Sequence, residues 1–232
     1  VVLAGHDAIL DAGLGEPSLS RIAGTLDVPG GTAESRQAGL ALETHIDSPV
    51  GLLSDGAGGA YLSETNNGLI RHYFPAKGDE PAYFENLGGL PDYGYLEGPR
   101  NQAVLNLPQD TAIWTNPETG EDVLYIADAL NSVIRKVEGG VTSLVAGRPG
   151  VQGATEGGGL ALEATLYRPE AIAVDTFGIL YVLDGRNRIH RIRDGYITTI
   201  AGDGDRAEGG DTYPAEESDF YLAYSIAVRP DG

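Results

Sequence analysis

Short apolar runs, each cut off by a Gly, Asp or Asn turn, follow one another along most of the chain. The clearest stretch covers residues 171–202. Ala171-Ile172-Ala173-Val174 reads as a strand, and Asp175-Thr176-Phe177-Gly178 as a tight turn with Gly where φ is positive. Ile179-Leu180-Tyr181-Val182-Leu183 is the second strand. Asp184-Gly185-Arg186-Asn187 turns the chain, with Asp and Asn able to bond the backbone themselves. Arg188-Ile189-His190-Arg191-Ile192 and Tyr196-Ile197-Thr198-Thr199-Ile200-Ala201-Gly202 are the third and fourth strands, joined through Asp194-Gly195. The pattern predicts short antiparallel strands in sets of four, and no stretch of useful length carries a helical period.

The set repeats. Gly39-Leu40-Ala41-Leu42-Glu43 returns as Gly159-Leu160-Ala161-Leu162-Glu163. In the same ungapped register Pro49 falls on Pro169, Asp55 on Asp175, Gly58 on Gly178, Tyr61 on Tyr181, Glu64 on Asp184 and Asn67 on Asn187. About halfway between lies another copy, through Ala103, Leu105, Pro108, Ala112, Leu124-Tyr125-Ile126-Ala127-Asp128 and Asn131, with a longer turn at residues 116–122. A last copy opens at Ala215 and runs to Ile226-Ala227-Val228. Four-stranded units at regular spacing predict a β-propeller, with a β-sandwich as the runner-up.

Composition narrows the function classes. Of 232 residues, 41% are hydrophobic, which suits a folded chain. The 34 glycines are dispersed, as turn-rich β proteins require. The absence of Cys excludes disulfides, thiolate metal sites and a cysteine nucleophile. A formal charge of −19 repels nucleic acid and anionic membranes and favours cations or basic partners. No apolar run is long enough to cross a membrane as a helix.

The repeat resembles the NHL repeat. That family's run of a Pro, an apolar strand ending in Asp, a Gly, an "LYVAD" strand, an Asn and an "RIRKI" strand matches residues 169–192, and in part residues 124–137. The "TTIAG" ending stands whole at residues 198–202. The resemblance implies a propeller of four-stranded antiparallel blades, with about four of six visible. The boundaries drawn are residues 1–19 for a stray outer strand and loop, 20–82, 83–144 and 145–202 for three repeats, and 203–232 for the start of another. Val174, Ile172, Ala112 and Leu52 are placed near the axis. The strand at residues 225–228 has no following strand in this sequence, so a neighbour is expected from the same polypeptide or from another subunit.

In such a fold, ligands meet the loops that lead from an outer strand into the next inner strand. Those loops are residues 25–45, 90–106, 148–166 and 203–221, and they nominate His45, Arg148, Glu156, Asp205 and Glu208 as ligand-binding residues. Asp203, Asp205, Glu208 and Asp211 have the oxygen-donor composition of a Ca²⁺ loop without the register of an EF-hand. His45, at the rim of the first inner strand where the third copy has Thr165, is a candidate ligand or base. His72 and His190 sit beside Arg71 and Arg191 and read as exposed or cross-strand residues. No nucleophile elbow, phosphate loop or H-E-x-x-H motif is present. The expected role is recognition of a protein or small molecule, extracellular or periplasmic, within a larger protein. One alternative is a lyase or lactone hydrolase with a divalent metal in the channel. Another is a structural module of an extracellular assembly.

Overall fold

The computed structural model describes residues 2–4, 9–12, 19–24, 39–90, 92–154, 158–204, 214–218, 220 and 223–229. The chain divides into two compact units, residues 1–96 with 100–108, and residues 97–99 with 109–232.

The first unit opens with a three-stranded antiparallel sheet of β1 (Val2–Ala4), β2 (Ile9–Ala12) and β3 (Leu19–Ala23), in that order. A five-stranded antiparallel sheet follows: β4 (Gly39–Leu40), β5 (Pro49–Ser54), β6 (Ala60–Glu64), β7 (Leu69–Phe74) and β8 (Tyr83–Gly88), ordered β4-β8-β7-β6-β5. Ile46, Leu62, Tyr73 and Phe84 form its core with the small residues Ala23, Ala41 and Ala60.

The second unit holds two more five-stranded sheets. One comprises β9 (Gly98–Pro99), β10 (Pro108–Thr115), β11 (Asp122–Asp128), β12 (Val133–Glu138) and β13 (Val141–Ala146), ordered β10-β11-β12-β13-β9. The other comprises β14 (Gly158–Leu160), β15 (Pro169–Val174), β16 (Leu180–Asp184), β17 (Ile189–Arg193) and β18 (Tyr196–Ala201), ordered β14-β18-β17-β16-β15. Their facing side chains share one core, in which Tyr125, Ile134 and Ala112 meet Leu166, Ile172 and Val182. Burying each aliphatic side chain of this size stabilises by about 1.5–3 kcal/mol.

The expected fold is corrected on this evidence of pairing. The described residues form three separate five-stranded antiparallel sheets, not closed four-stranded propeller blades. The fifth strand has a local cause. In each case two or three residues of the Gly-rich connection ahead of the sheet pair with the far strand: Leu40 with Tyr83, Gly98 with Thr142, and Leu160 with Tyr196. An alternating apolar pattern specifies a meander of strands, and such a meander does not by itself specify closure into a ring. Of the residues expected near an axis, Ala112 and Ile172 are buried, whereas Leu52 and Val174 are half-buried and pack against the edges of their cores. Strand β2 also stands where the sequence predicts loop. Residues 223–229 lie outside any ladder among the described residues, and Ala223 N donates to Asn187 Oδ1 (3.3 Å).

Two backbone devices recur. Ser48, Leu107 and Arg168 each precede a proline and each have φ near +50° (50°, 50° and 48°). This is a strained choice for a non-glycine residue, costing about 1–3 kcal/mol. The strain turns carbonyls toward the connection between second and third strands: Thr65 N donates to Ser48 O (3.2 Å) and Gly185 N to Arg168 O (3.1 Å). The second device is a glycine just after the fourth strand. A Cβ on Gly147 would lie 2.5 Å from Ser132 O, and one on Gly202 would lie 2.1 Å from Asn187 O. In the second unit, Asp110 also serves the edge strand of the neighbouring sheet. Its Oδ2 accepts Ile172 N (3.0 Å) and its Oδ1 accepts Thr111 N (2.8 Å). Burial pushes this carboxyl above its ordinary value, against the pull of those two bonds.

Candidate binding groove

Each five-stranded sheet ends its second long strand in a buried acid: Glu64, Asp128 and Asp184, all fully buried. In the first sheet Glu64 Oε1 meets Arg71 Nε at 2.8 Å and Oε2 accepts Asn67 Nδ2 at 2.6 Å. Burial raises the Glu64 carboxyl and lowers the Arg71 guanidinium, outweighing their mutual attraction. In the second sheet Asp128 Oδ2 accepts Asn131 Nδ2 (2.8 Å) and lies 3.5 Å from Arg135 Nη1. The third sheet differs. Asp184 Oδ1 accepts the backbone N–H groups of Arg186 (3.0 Å) and Arg188 (3.1 Å), and Oδ2 faces His190 Nε2 at 3.2 Å. His190 Nδ1 meets the Thr199 hydroxyl at 3.1 Å.

The cause is a connection shorter by one residue. Leu62 pairs with Arg71 and Ile126 with Arg135, whereas Val182 pairs with His190. The ungapped register therefore slips after Asn187. His190 takes the buried place of Arg71, and Arg191 is turned out to solvent. Of the two expectations for His190, exposed or cross-strand, the first is corrected, since it is fully buried, and it stands cross-strand to Val182 and Thr199.

At the opposite end of the strands the sheets diverge further. In the first sheet, Asp55 Oδ1 accepts Ala57 N and Gly59 N (both 2.8 Å), and Oδ2 meets His72 Nε2 at 2.9 Å. Burial pushes the Asp55 carboxyl up, but the bonds from His72, Ala57 and Gly59 together hold it below its ordinary value. His72 is sandwiched between rings, with Tyr61 at 4.3 Å and Phe74 at 3.9 Å between centroids, and Phe74 stacks on Tyr83 at 4.7 Å. The end of this sheet is covered by its own side chains.

In the third sheet the same place is open. Asp175 Oδ1 accepts Phe177 N and Ile179 N (both 2.9 Å), as Asp55 does with its own turn. Its Oδ2 accepts, among the described residues, only the Tyr181 hydroxyl, at a long 3.5 Å. Arg191 stands in the cross-strand place of His72, opposite Tyr181. Phe177 replaces Ala57 and is 73% exposed. The result is a groove of about 450 Å³ lined by Asp175, Phe177, Ile179, Tyr181, Arg193 and Asp194. Arg193 Nε donates to Asp194 Oδ2 (3.1 Å). A second groove of about 420 Å³ lies on the other side of the 175–178 turn, lined by Ile113, Trp114, Val174, Asp175, Val228 and Arg229. The Trp114 indole donates to Thr176 O (3.1 Å) and packs on Gly178, where a Cβ would approach it to 3.1 Å. Both volumes fall in the range of small-ligand sites.

Of the residues nominated from sequence, the described ones do not line these grooves. His45 is buried in the first unit, on the segment between β4 and β5. Arg148 is exposed just after β13, and Asp203 is exposed just after β18, its carbonyl accepting Arg188 Nη2 at 2.5 Å. Glu156, Asp205, Glu208 and Asp211 lie outside the described residues. Among the described residues, no three His, Asp or Glu side chains are grouped to hold a metal. One sequence signal points to the grooves: Phe177 occupies a turn position that holds Ala57 in the first copy.

No family model matches the chain. The resemblance to the NHL repeat is thus corrected by that result and by the five-stranded sheets. Mouse teneurin-3 is 29% identical over 245 aligned positions, covering 91% of this chain and 8% of that protein. Human teneurin-4 is 29% identical over 181 positions, covering 72% of this chain and 6% of that protein. The chain therefore spans less than a tenth of the length of these curated relatives. An auxiliary nutrient binding protein from Bacteroides thetaiotaomicron superposes with a TM-score of 0.59 at 18% identity, covering 84% of this chain and 43% of that one. A second protein from the same bacterium gives 0.58 at 20% identity, covering 84% and 42%. At these identities the likeness shows a shared fold. No helix among the described residues is long and apolar enough to cross a membrane.

Proposed function

We propose that this chain is a recognition module of a larger extracytoplasmic protein, and that it takes its ligand in the groove beside Asp175. The observation that carries the reading is the contrast between two equivalent carboxylates. Asp55 has both oxygens held by its own sheet, while Asp175 keeps one oxygen turned toward a groove with a single long internal contact. A buried acceptor with a free lone pair is completed by a donor from outside. An aromatic side chain that is three-quarters exposed beside it suits a binding surface better than a core. The alignment with small stretches of the teneurins supports a part of a longer chain, and the fold likeness to a nutrient binding protein supports a binding role. The acidic charge favours neutral or basic ligands over anionic ones.

The test is amide hydrogen exchange across the chain with three probes in turn: neutral oligosaccharides, sulfated oligosaccharides and oligolysine peptides. Protection of residues 175–181 and 193–194 by any of them supports the groove as the site. Protection confined to other residues, or none with any probe, would overturn it.

A further inference from the structure

We infer that the ligand is a neutral carbohydrate chain laid across the 175–178 turn, an inference that rests on the groove being the recognition site. Charge comes first. A uronic acid, sialic acid or sulfated sugar would enter the field of a chain carrying −19 and meet Asp175 directly. A basic peptide would find the groove's charge largely compensated from within. Asp194 is paired with Arg193, and Asp175 Oδ1 already holds two backbone N–H groups. What remains is Asp175 Oδ2 with the Tyr181 hydroxyl 3.5 Å away. That is an acceptor beside a group that both donates and accepts, and it matches adjacent sugar hydroxyls, which also do both.

The aromatic surfaces agree. Phe177 offers a ring that lacks a polar handle and is 73% exposed. The apolar face of a pyranose packs on such a ring without desolvating its hydroxyls. Across the turn, Trp114 has its indole N–H engaged by Thr176 O, so it presents ring surface to the second groove. The two grooves share Asp175 and flank one four-residue turn. A ligand filling both is longer than one sugar ring, so binding strengthens with chain length.

The experiment is calorimetric titration with neutral gluco-, manno-, xylo-, galacto- and N-acetylglucosamine oligosaccharides of two to six units. It uses the wild-type chain, Phe177→Ala and Phe177→Trp. At least one series is expected to bind, more tightly at six units than at two. Phe177→Ala should weaken it by about tenfold, and Phe177→Trp should restore it. Phe177 is exposed, so the thermal midpoint of Phe177→Ala should match wild type. No binding by any series, or binding unmoved by Phe177→Ala, overturns the inference. If oligolysine protects the groove while no neutral sugar binds, the groove remains the recognition site and the carbohydrate assignment falls. If no probe protects the groove, both fall together.

Discussion

In the first sheet His72 closes over Asp55, and the packed rings of Tyr61, His72, Phe74 and Tyr83 cover the end of the strands. In the third, Arg191 points to solvent, Phe177 stands clear, and Asp175 faces a groove. At the other end of the same strands the contrast reverses. The first sheet buries a guanidinium against Glu64, and the third buries the smaller imidazole of His190 against an Asp184 already held by the backbone. One connection shortened by a single residue underlies both differences. It puts His190 in the place of Arg71 and Arg191 in the place of His72, and Arg191 extends to solvent where His72 closes over Asp55. Because side chains alternate along a strand, one position decides two environments at once.

The largest way to break this comparison is to remove the buried guanidinium. Arg71→Ala leaves Glu64 buried without its partner and should cost about 3–5 kcal/mol in urea unfolding at neutral pH. The loss should shrink in acid. The Glu64 carboxyl is already raised by burial, so a folded state that takes up its proton gains stability as pH falls through that raised value. Next in size, Gly147→Ala and Gly202→Ala should each cost about 2–3 kcal/mol, since both force a Cβ onto backbone at positive φ. Equal losses at the two sites would show that this contact is common to the sheets while the acid clusters differ. His190→Ala should cost about 1.5–2 kcal/mol, less than Arg71→Ala, because Asp184 keeps two backbone donors. A loss as large as that of Arg71→Ala would erase the distinction drawn between the sheets. The smallest effect concerns Asp55. Its carboxyl is held below the ordinary 3.8, so the stability it contributes is present above that value and disappears as pH falls through the lowered one. Exchange of the Ala57 and Gly59 amides should accelerate only below about pH 4, and Asp55→Asn should remove that dependence.

The strands and turns were readable because each is local. Ala171-Ile172-Ala173-Val174 followed by Asp175 and Gly178 carries its own alternation and its own turn chemistry. The fifth strands carry neither. Gly39–Leu40, Gly98–Pro99 and Gly158–Leu160 are too short to show a period, and they gain strand geometry only from the partner they meet. Strand β2, at Ile9–Ala12, is hidden for the same reason. The register slip was invisible because Asn187 aligns with Asn67 before the missing residue, and Arg191 then falls on Arg71 in sequence though not in space. The groove left a faint trace in Phe177 opposite Ala57. Its other half depends on Arg191 standing where His72 stands in the first sheet, which only the pairing of β16 with β17 determines.

The two- and three-residue outer strands also bear on how these sheets behave in a crowded solution. A long bare edge is a template on which a foreign strand can grow, and it is the usual starting point for aggregation. Here each such edge ends in a segment containing Gly or Pro, which offers a newcomer only a few hydrogen bonds before the chain turns away. The exposed Leu and Tyr side chains beside those edges, Leu40 with Tyr83 and Leu160 with Tyr196, can thus stay at the surface without seeding fibrils.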